Sequence, residues 1–146
     1  MKKLLIAYTS RTGTTEKMAE YLAEGARMAG CDVTTSKISQ LKKPEDVIGY
    51  DGYLFGSPTY HKDMTGGMKQ FLFVAERAGL NGKKGGAFGS HTHSGESAPM
   101  IFDTLEYVFK MNVTELGPLN LTEEMVKTDE GLKACQHYGR ALAKKL

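Results

Sequence analysis

Five times along this chain a short run of strand character gives way to a longer stretch of helical periodicity. That alternation constrains the fold more than any single motif. Lys3–Thr9 is apolar, and Thr14–Ala29 then sets Ala19, Leu22, Ala23 and Ala26 on one helical face. Asp32–Ile38 is β-branched and partly alternating, as an outer strand is, and Pro44 opens a short helix ending near Gly49. Tyr53–Gly56 reads as a buried strand, followed by a helix carrying Met68, Phe71, Leu72 and Ala75. Lys84–Ser90 precedes a helix over Ala98–Met111 with Ile101, Leu105 and Val108 on one face. Asn112–Leu121 is a fifth strand, bent or interrupted at Gly117-Pro118. The last helix spans Asp129–Leu146, with Leu132, Cys135, Gly139 and Leu142 facing inward.

Strands that alternate with helices form a parallel sheet covered on both faces, and right-handed crossovers leave few topologies. The expectation is an α/β fold: a three-layer, doubly wound, five-stranded parallel sheet. At 146 residues the chain makes one core, so residues 1–146 are read as a single domain. In such sheets ligands bind beyond the carboxyl ends of the strands, where the strand order reverses. The unusual residues of this chain cluster after strands one, three and four.

Composition excludes several classes. A formal charge of +2 with scattered lysines argues against nucleic acid. Cys31 and Cys135 show no CxxC spacing and read as reduced, buried thiols of a cytoplasmic protein. Leu4-Leu5-Ile6-Ala7 is too short for a signal core or a membrane span, so no membrane partner is expected. Met64, Met68, Met100 and Met111 read as core fillers.

The first loop, Thr9-Ser10-Arg11-Thr12-Gly13-Thr14-Thr15, carries five hydroxyls, a cation and a glycine where a strand meets a helix start. Helix N-termini offer unpaired N–H groups and partial positive charge, so Ser10, Arg11, Thr12, Gly13, Thr14 and Thr15 form a candidate phosphate site. It is neither a Walker A loop nor GxGxxG. The second loop is Gly56-Ser57-Pro58-Thr59-Tyr60-His61-Lys62-Asp63-Met64. Pro58 stiffens the strand exit. Tyr60 either stacks on a planar ligand or packs as an ordinary half-buried ring. The third loop, Gly89-Ser90-His91-Thr92-His93-Ser94-Gly95-Glu96, holds two histidines, but no carboxylate or thiolate accompanies them at metal-ligand spacing. A small polar loop offering donors to a heterocycle accounts for the stretch better, with Glu96 supporting the next helix.

Across nearly its whole length the chain resembles the flavodoxin family, through the first loop and the spacing to the other two. The second and third loops look closest to archaeal flavodoxins and to the flavodoxin-like domain of diiron flavoproteins. The resemblance implies strand order 2-1-3-4-5 and one FMN at the switch point. By that resemblance Ser10 to Thr15 hold the phosphate; Pro58, Thr59, Tyr60 and His61 line one side of the isoalloxazine. Ser90, His91, Thr92, His93, Ser94 and Gly95 line the other.

The chain departs from the family pattern in three ways. There is no tryptophan, and His93 stands where relatives place a ring-stacking aromatic; His61 and Lys62 occupy positions where relatives use glycine; and the charge is near neutral. Positive φ costs a residue with a side chain, so a backbone switch at these positions is expected to be weaker.

The resemblance implies a low-potential, one-electron carrier that docks transiently with redox proteins, ferredoxin-type or flavoprotein reductases and acceptors, as a monomer or weak dimer. The alternative on the same fold is an FMN-dependent NAD(P)H:quinone or flavin reductase. A receiver domain fits poorly, because Thr9 and Ser10 follow strand one where acidic residues are needed.

Overall fold

A computed structural model describes residues 1–146. Strand β1 (Lys3–Tyr8) lies inside the sheet, pairing in parallel with β2 (Asp32–Lys37) on one side and β3 (Gly52–Gly56) on the other. β4 (Lys84–His91) continues outward from β3, giving the order β2-β1-β3-β4-β5 that the resemblance implied. The chain winds one way from β1 to β2 and the other way through β3. The carboxyl ends of β1, β3 and β4 therefore lie side by side, and backbone bonds continue the alignment past the strand ends. Thr9 donates to Gly56 O (3.1 Å), Ser57 to Phe88 O (3.2 Å) and Thr59 to Ser90 O (2.9 Å).

The fifth strand is broken. β5 (Asn112–Val113) pairs the start of β4 and β6 (Leu119–Thr122) pairs its end, both in parallel on the same edge. Between the two pairings β4 advances from Lys84 to Phe88 while the outer chain advances from Asn112 to Leu119. The surplus residues leave the edge as a turn at Gly117, as the Gly-Pro dipeptide led one to expect.

Two apolar clusters flank the sheet. Helices α2 (Gly66–Glu76) and α3 (Ser97–Asp103) cover one face through Met68, Phe71, Leu72, Ile101 and Leu105. Helices α1 (Thr14–Met28) and α5 (Asp129–Ala143) cover the other through Met18, Leu22, Tyr138 and Leu142. Each fully buried side chain of this kind stabilises the fold by roughly 1.5–3 kcal/mol. α1 and α5 approach so closely that a Cβ at Gly25 would stand 1.9 Å from Gln136 O. Only glycine permits that contact.

Four expectations need correction. The short helix at Pro44 is only a 3₁₀ turn, Pro44–Asp46, because Gly49 follows too soon for an α-helix to propagate. The helix after β4 is not uniform: it passes into a π-helical turn over Thr104–Val108. That wider turn shifts the inward face by one residue, so Phe109 is buried and Val108 is exposed. Met100 is also exposed, on the outer side of α3. The last helix ends at Ala143, and Tyr138 takes a fully inward place that Leu132 holds only in part. A short helix α4 (Glu123–Val126) stands between β6 and α5.

Candidate functional site

Phosphate chemistry at the first loop follows from how α1 begins. Its N-cap, Gly13, sits at φ 92°, and no side chain caps the helix from that position. Ser10 Oγ instead accepts from Gly13 N (3.1 Å) and Glu16 N (3.3 Å), folding the loop back on itself. No protein group accepts from the N–H of Thr14 or Thr15. Two first-turn donors are thus left facing an anion position at the positive end of a long helix. The Thr12 hydroxyl donates to Glu123 Oε1 (3.0 Å), bringing α4 to the loop. Thr15 is buried, its hydroxyl 2.9 Å from the buried Ser90 hydroxyl, so these two side chains satisfy each other and bind loop one to β4.

The second loop makes a tight reverse turn at Tyr60–Asp63. Tyr60 N donates to Asp63 O (2.7 Å) and Asp63 N to Tyr60 O (3.1 Å). The two central residues, His61 and Lys62, sit at φ 51° and 61°. This is the mirror-image turn that suits hairpins and usually selects glycine or asparagine. Asp63 holds the turn at its base: its Oδ1 accepts from Met64 N (2.7 Å), and its carboxylate forms an ion pair with Lys69 on α2. The hydrogen bond from Lys69 lowers the Asp63 pKa from its ordinary value.

Tyr60 is 48% exposed, so its ring lies at the surface of the second loop. The Arg11 guanidinium lies 4.0 Å from its centroid, and the His61 ring meets it edge-on at 4.2 Å. Arg11 therefore joins the first loop to the second by a cation–π contact.

Side-chain hydroxyls fix the exit from β3. Ser97 Oγ donates to Ser57 O (2.7 Å), while Ser97 N donates to Thr59 Oγ1 (3.0 Å). The third loop is held by a residue that sequence reasoning missed. Asn120, on β6, donates to Gly95 O (2.7 Å) and accepts at Oδ1 from His91 Nδ1 (3.1 Å). Since Oδ1 can only accept, the imidazole proton resides on Nδ1. His91 is therefore turned toward β6, and the loop residues that face loop two are Thr92, His93 and Ser94. Together with Thr59, His61 and Lys62 they line a polar cleft of about 260 Å³. Pro58 is half-buried behind it.

Glu96 does not cap α3, and its Oε1 is a buried acceptor with no partner. Tyr8, at the end of β1, donates to Glu16 (2.8 Å); burial and that carboxylate push its pKa up to about 12. Nowhere do three His, Cys, Asp or Glu side chains gather as a metal site.

The donor set suits a flavin mononucleotide. A phosphate dianion needs converging N–H and hydroxyl donors, which the first loop supplies, and a planar heterocycle with N–H and C=O edges needs small polar loops beside it. The orphaned Glu96 acceptor lies at the head of α3, directly after the third loop. A doubly wound sheet with these features at its switch point defines the mononucleotide-binding flavoproteins.

The chain belongs to the flavodoxin family, whose profile matches residues 6–137. Proteins of this family bind FMN and transfer electrons through it. It is 34% identical to a flavodoxin of Aquifex aeolicus, over 98% of this chain and 86% of that one. It is 31% identical to an NAD(P)H dehydrogenase (quinone) of Rhodopseudomonas palustris, over 80% of this chain and 71% of that protein. Among solved structures, a flavodoxin from the domain Archaea superposes with a TM-score of 0.88 at 26% identity, over 98% of this chain and 97% of that one. The flavodiiron protein from Giardia intestinalis matches 99% of this chain with 36% of its own, at a TM-score of 0.88 and 27% identity.

Proposed function

We propose that this chain holds one FMN at the β1/β3 switch point and passes electrons between redox proteins that dock transiently on that edge. The observation that carries this reading is the start of α1, where two N–H donors without partners adjoin two polar loops. Ser10 to Thr15 would hold the phosphate, with Thr14 and Thr15 acting through their backbone. Pro58 to His61 and Ser90 to Gly95 would flank the ring, and Arg11 would steady Tyr60. When bound, the FMN supplies the electron-accepting ring; the protein orients it, sets the charge around it and leaves one edge open.

No helix is long and apolar enough to cross a membrane, and both thiols are unpaired and buried. These features suit work in the cytoplasm, our reading of its location.

Stepwise anaerobic reduction of the FMN-loaded protein tests the proposal. Accumulation of a one-electron-reduced flavin midway supports the carrier. A second reading, an FMN-dependent NAD(P)H:quinone reductase, is favoured by the open cleft beside His61 and His93, which leaves room above the ring position. Direct two-electron bleaching, with rapid oxidation of NAD(P)H once a quinone is added, would decide for the reductase.

A further inference from the structure

Arg11 is an exposed cation without a carboxylate. The ion pairs of the chain join Lys17 to Glu20, Lys37 to Glu16 and Lys69 to Asp63, and none includes Arg11. A long side chain in that setting keeps its rotamer freedom unless something holds it. Here the face of Tyr60 holds it, 4.0 Å from the guanidinium carbon to the ring centroid. A guanidinium over a ring face makes the contact through its flat surface and spends no N–H donor on it.

The contact joins two loops that are otherwise fixed separately. Loop one folds on Ser10 Oγ, and loop two is anchored to α2 by Asp63 and Lys69. At their bases the two are linked by Thr9 N donating to Gly56 O (3.1 Å); at the exposed rim they are linked by Arg11 and Tyr60. Tyr60 in turn meets the His61 ring at 4.2 Å, and His61 lines the cleft between loops two and three. The row Arg11–Tyr60–His61 therefore runs from the loop with two free N–H donors to that cleft. These are the two places that the phosphate and the ring of one FMN would occupy.

We propose that Arg11 is a positioning residue: it pins the Tyr60 ring across the gap between loops one and two, and this bridge retains bound FMN by slowing its release. The inference rests on the FMN reading of this edge. An exposed cation–π contact favours the closed arrangement by about two- to fivefold. A ligand that departs only while the bridge is open departs more slowly by about that factor.

Release of radiolabelled FMN from the loaded full chain, chased with excess unlabelled FMN, measures the effect. Arg11→Met should speed release by about two- to fivefold. Tyr60→Phe keeps the ring face, so release from it should stay slow and should still respond to Arg11→Met. In a Tyr60→Leu chain, Arg11→Met should make no further difference, because the bridge is already gone. Both residues are exposed, so neither substitution reaches the cores. The bridge is refuted if Arg11→Met releases FMN at the wild-type rate, or if it speeds the Tyr60→Leu chain as much as the wild type, since Arg11 would then act on its own. A wild-type chain that retains no FMN would overturn the flavin reading together with this inference; one that retains FMN without the coupling would overturn the bridge alone.

Discussion

Lys62 stands at φ 61° without the excuse of being glycine. The left-handed region costs an ordinary residue about 1–2 kcal/mol, whereas glycine costs about 0.5–1 kcal/mol in extra unfolded-chain entropy. The first effect is larger, so Lys62→Gly should stabilise the protein by about 0.5–1 kcal/mol, read by chemical denaturation. Asn120 is the opposite case, a residue whose loss leaves groups unsatisfied. Asn120→Ala removes the partners of both His91 and Gly95 O and should cost about 1–3 kcal/mol, with weaker FMN binding by fluorescence titration. An unchanged FMN affinity would mean that the third loop keeps its shape without the clamp. At this scale legibility followed chain distance. The hydroxyls of Thr9 to Thr15 fall within one short segment and could be read as a phosphate loop. Asn120 reaches the third loop only because β6 is registered on β4, with Asn120 beside Gly89. No local pattern carries that information. The second-loop turn lay between these cases: His61 and Lys62 could be singled out, but the Asp63–Lys69 pair at its base could not.

Helices differ in how they begin, and the difference separates structural from binding termini. α2, α4 and α5 each start at a threonine whose hydroxyl accepts from the helix: Thr65 from Met68 N, Thr122 from Met125 N and Thr128 from Gly131 N. α1 starts at a glycine and leaves its first donors free. Thr65→Ala should therefore cost about 1 kcal/mol of stability and leave FMN affinity untouched, because α2 closes its own N-terminus. A large loss of FMN affinity in that variant would show the second loop to be more strongly coupled to α2 than the hydrogen bonds indicate. Strand–helix alternation was legible over nearly the whole chain because parallel strands are buried on both faces and read as apolar runs. At the end of the π-helical turn that follows α3 the reading failed by one residue. Val108 and Phe109 are both apolar, so a regular period of 3.6 fits Val108, and only the π-turn reveals that Phe109 is the one inside.

For the molecule as a whole, alkaline pH is the direction of weakness. Tyr8 and Cys135 are each held protonated by burial, with pKa values of about 12 against ordinary values of 10.0 and 9.0. The native state keeps protons that the unfolded chain releases. This stability is therefore complete below about pH 9 and is lost progressively as pH rises to about 12. Thermal melts should show a midpoint falling across that window. Cys31 and Cys135, both buried with raised pKa values, should react with a thiol reagent only as the protein unfolds. Rapid labelling of the native protein at neutral pH would contradict this account of the cores.

The break in the outermost strand also bears on what this protein resists. A sheet edge invites pairing by a foreign strand, and a long flat edge is a template for aggregation. Here one edge is β2, which buries none of its residues fully and carries the exposed Asp32 and Lys37. The other is interrupted after Val113, before any incoming strand could find a continuous run of free peptide groups. The same interruption that lets Asn120 reach the third loop thus guards the sheet against growing from its side.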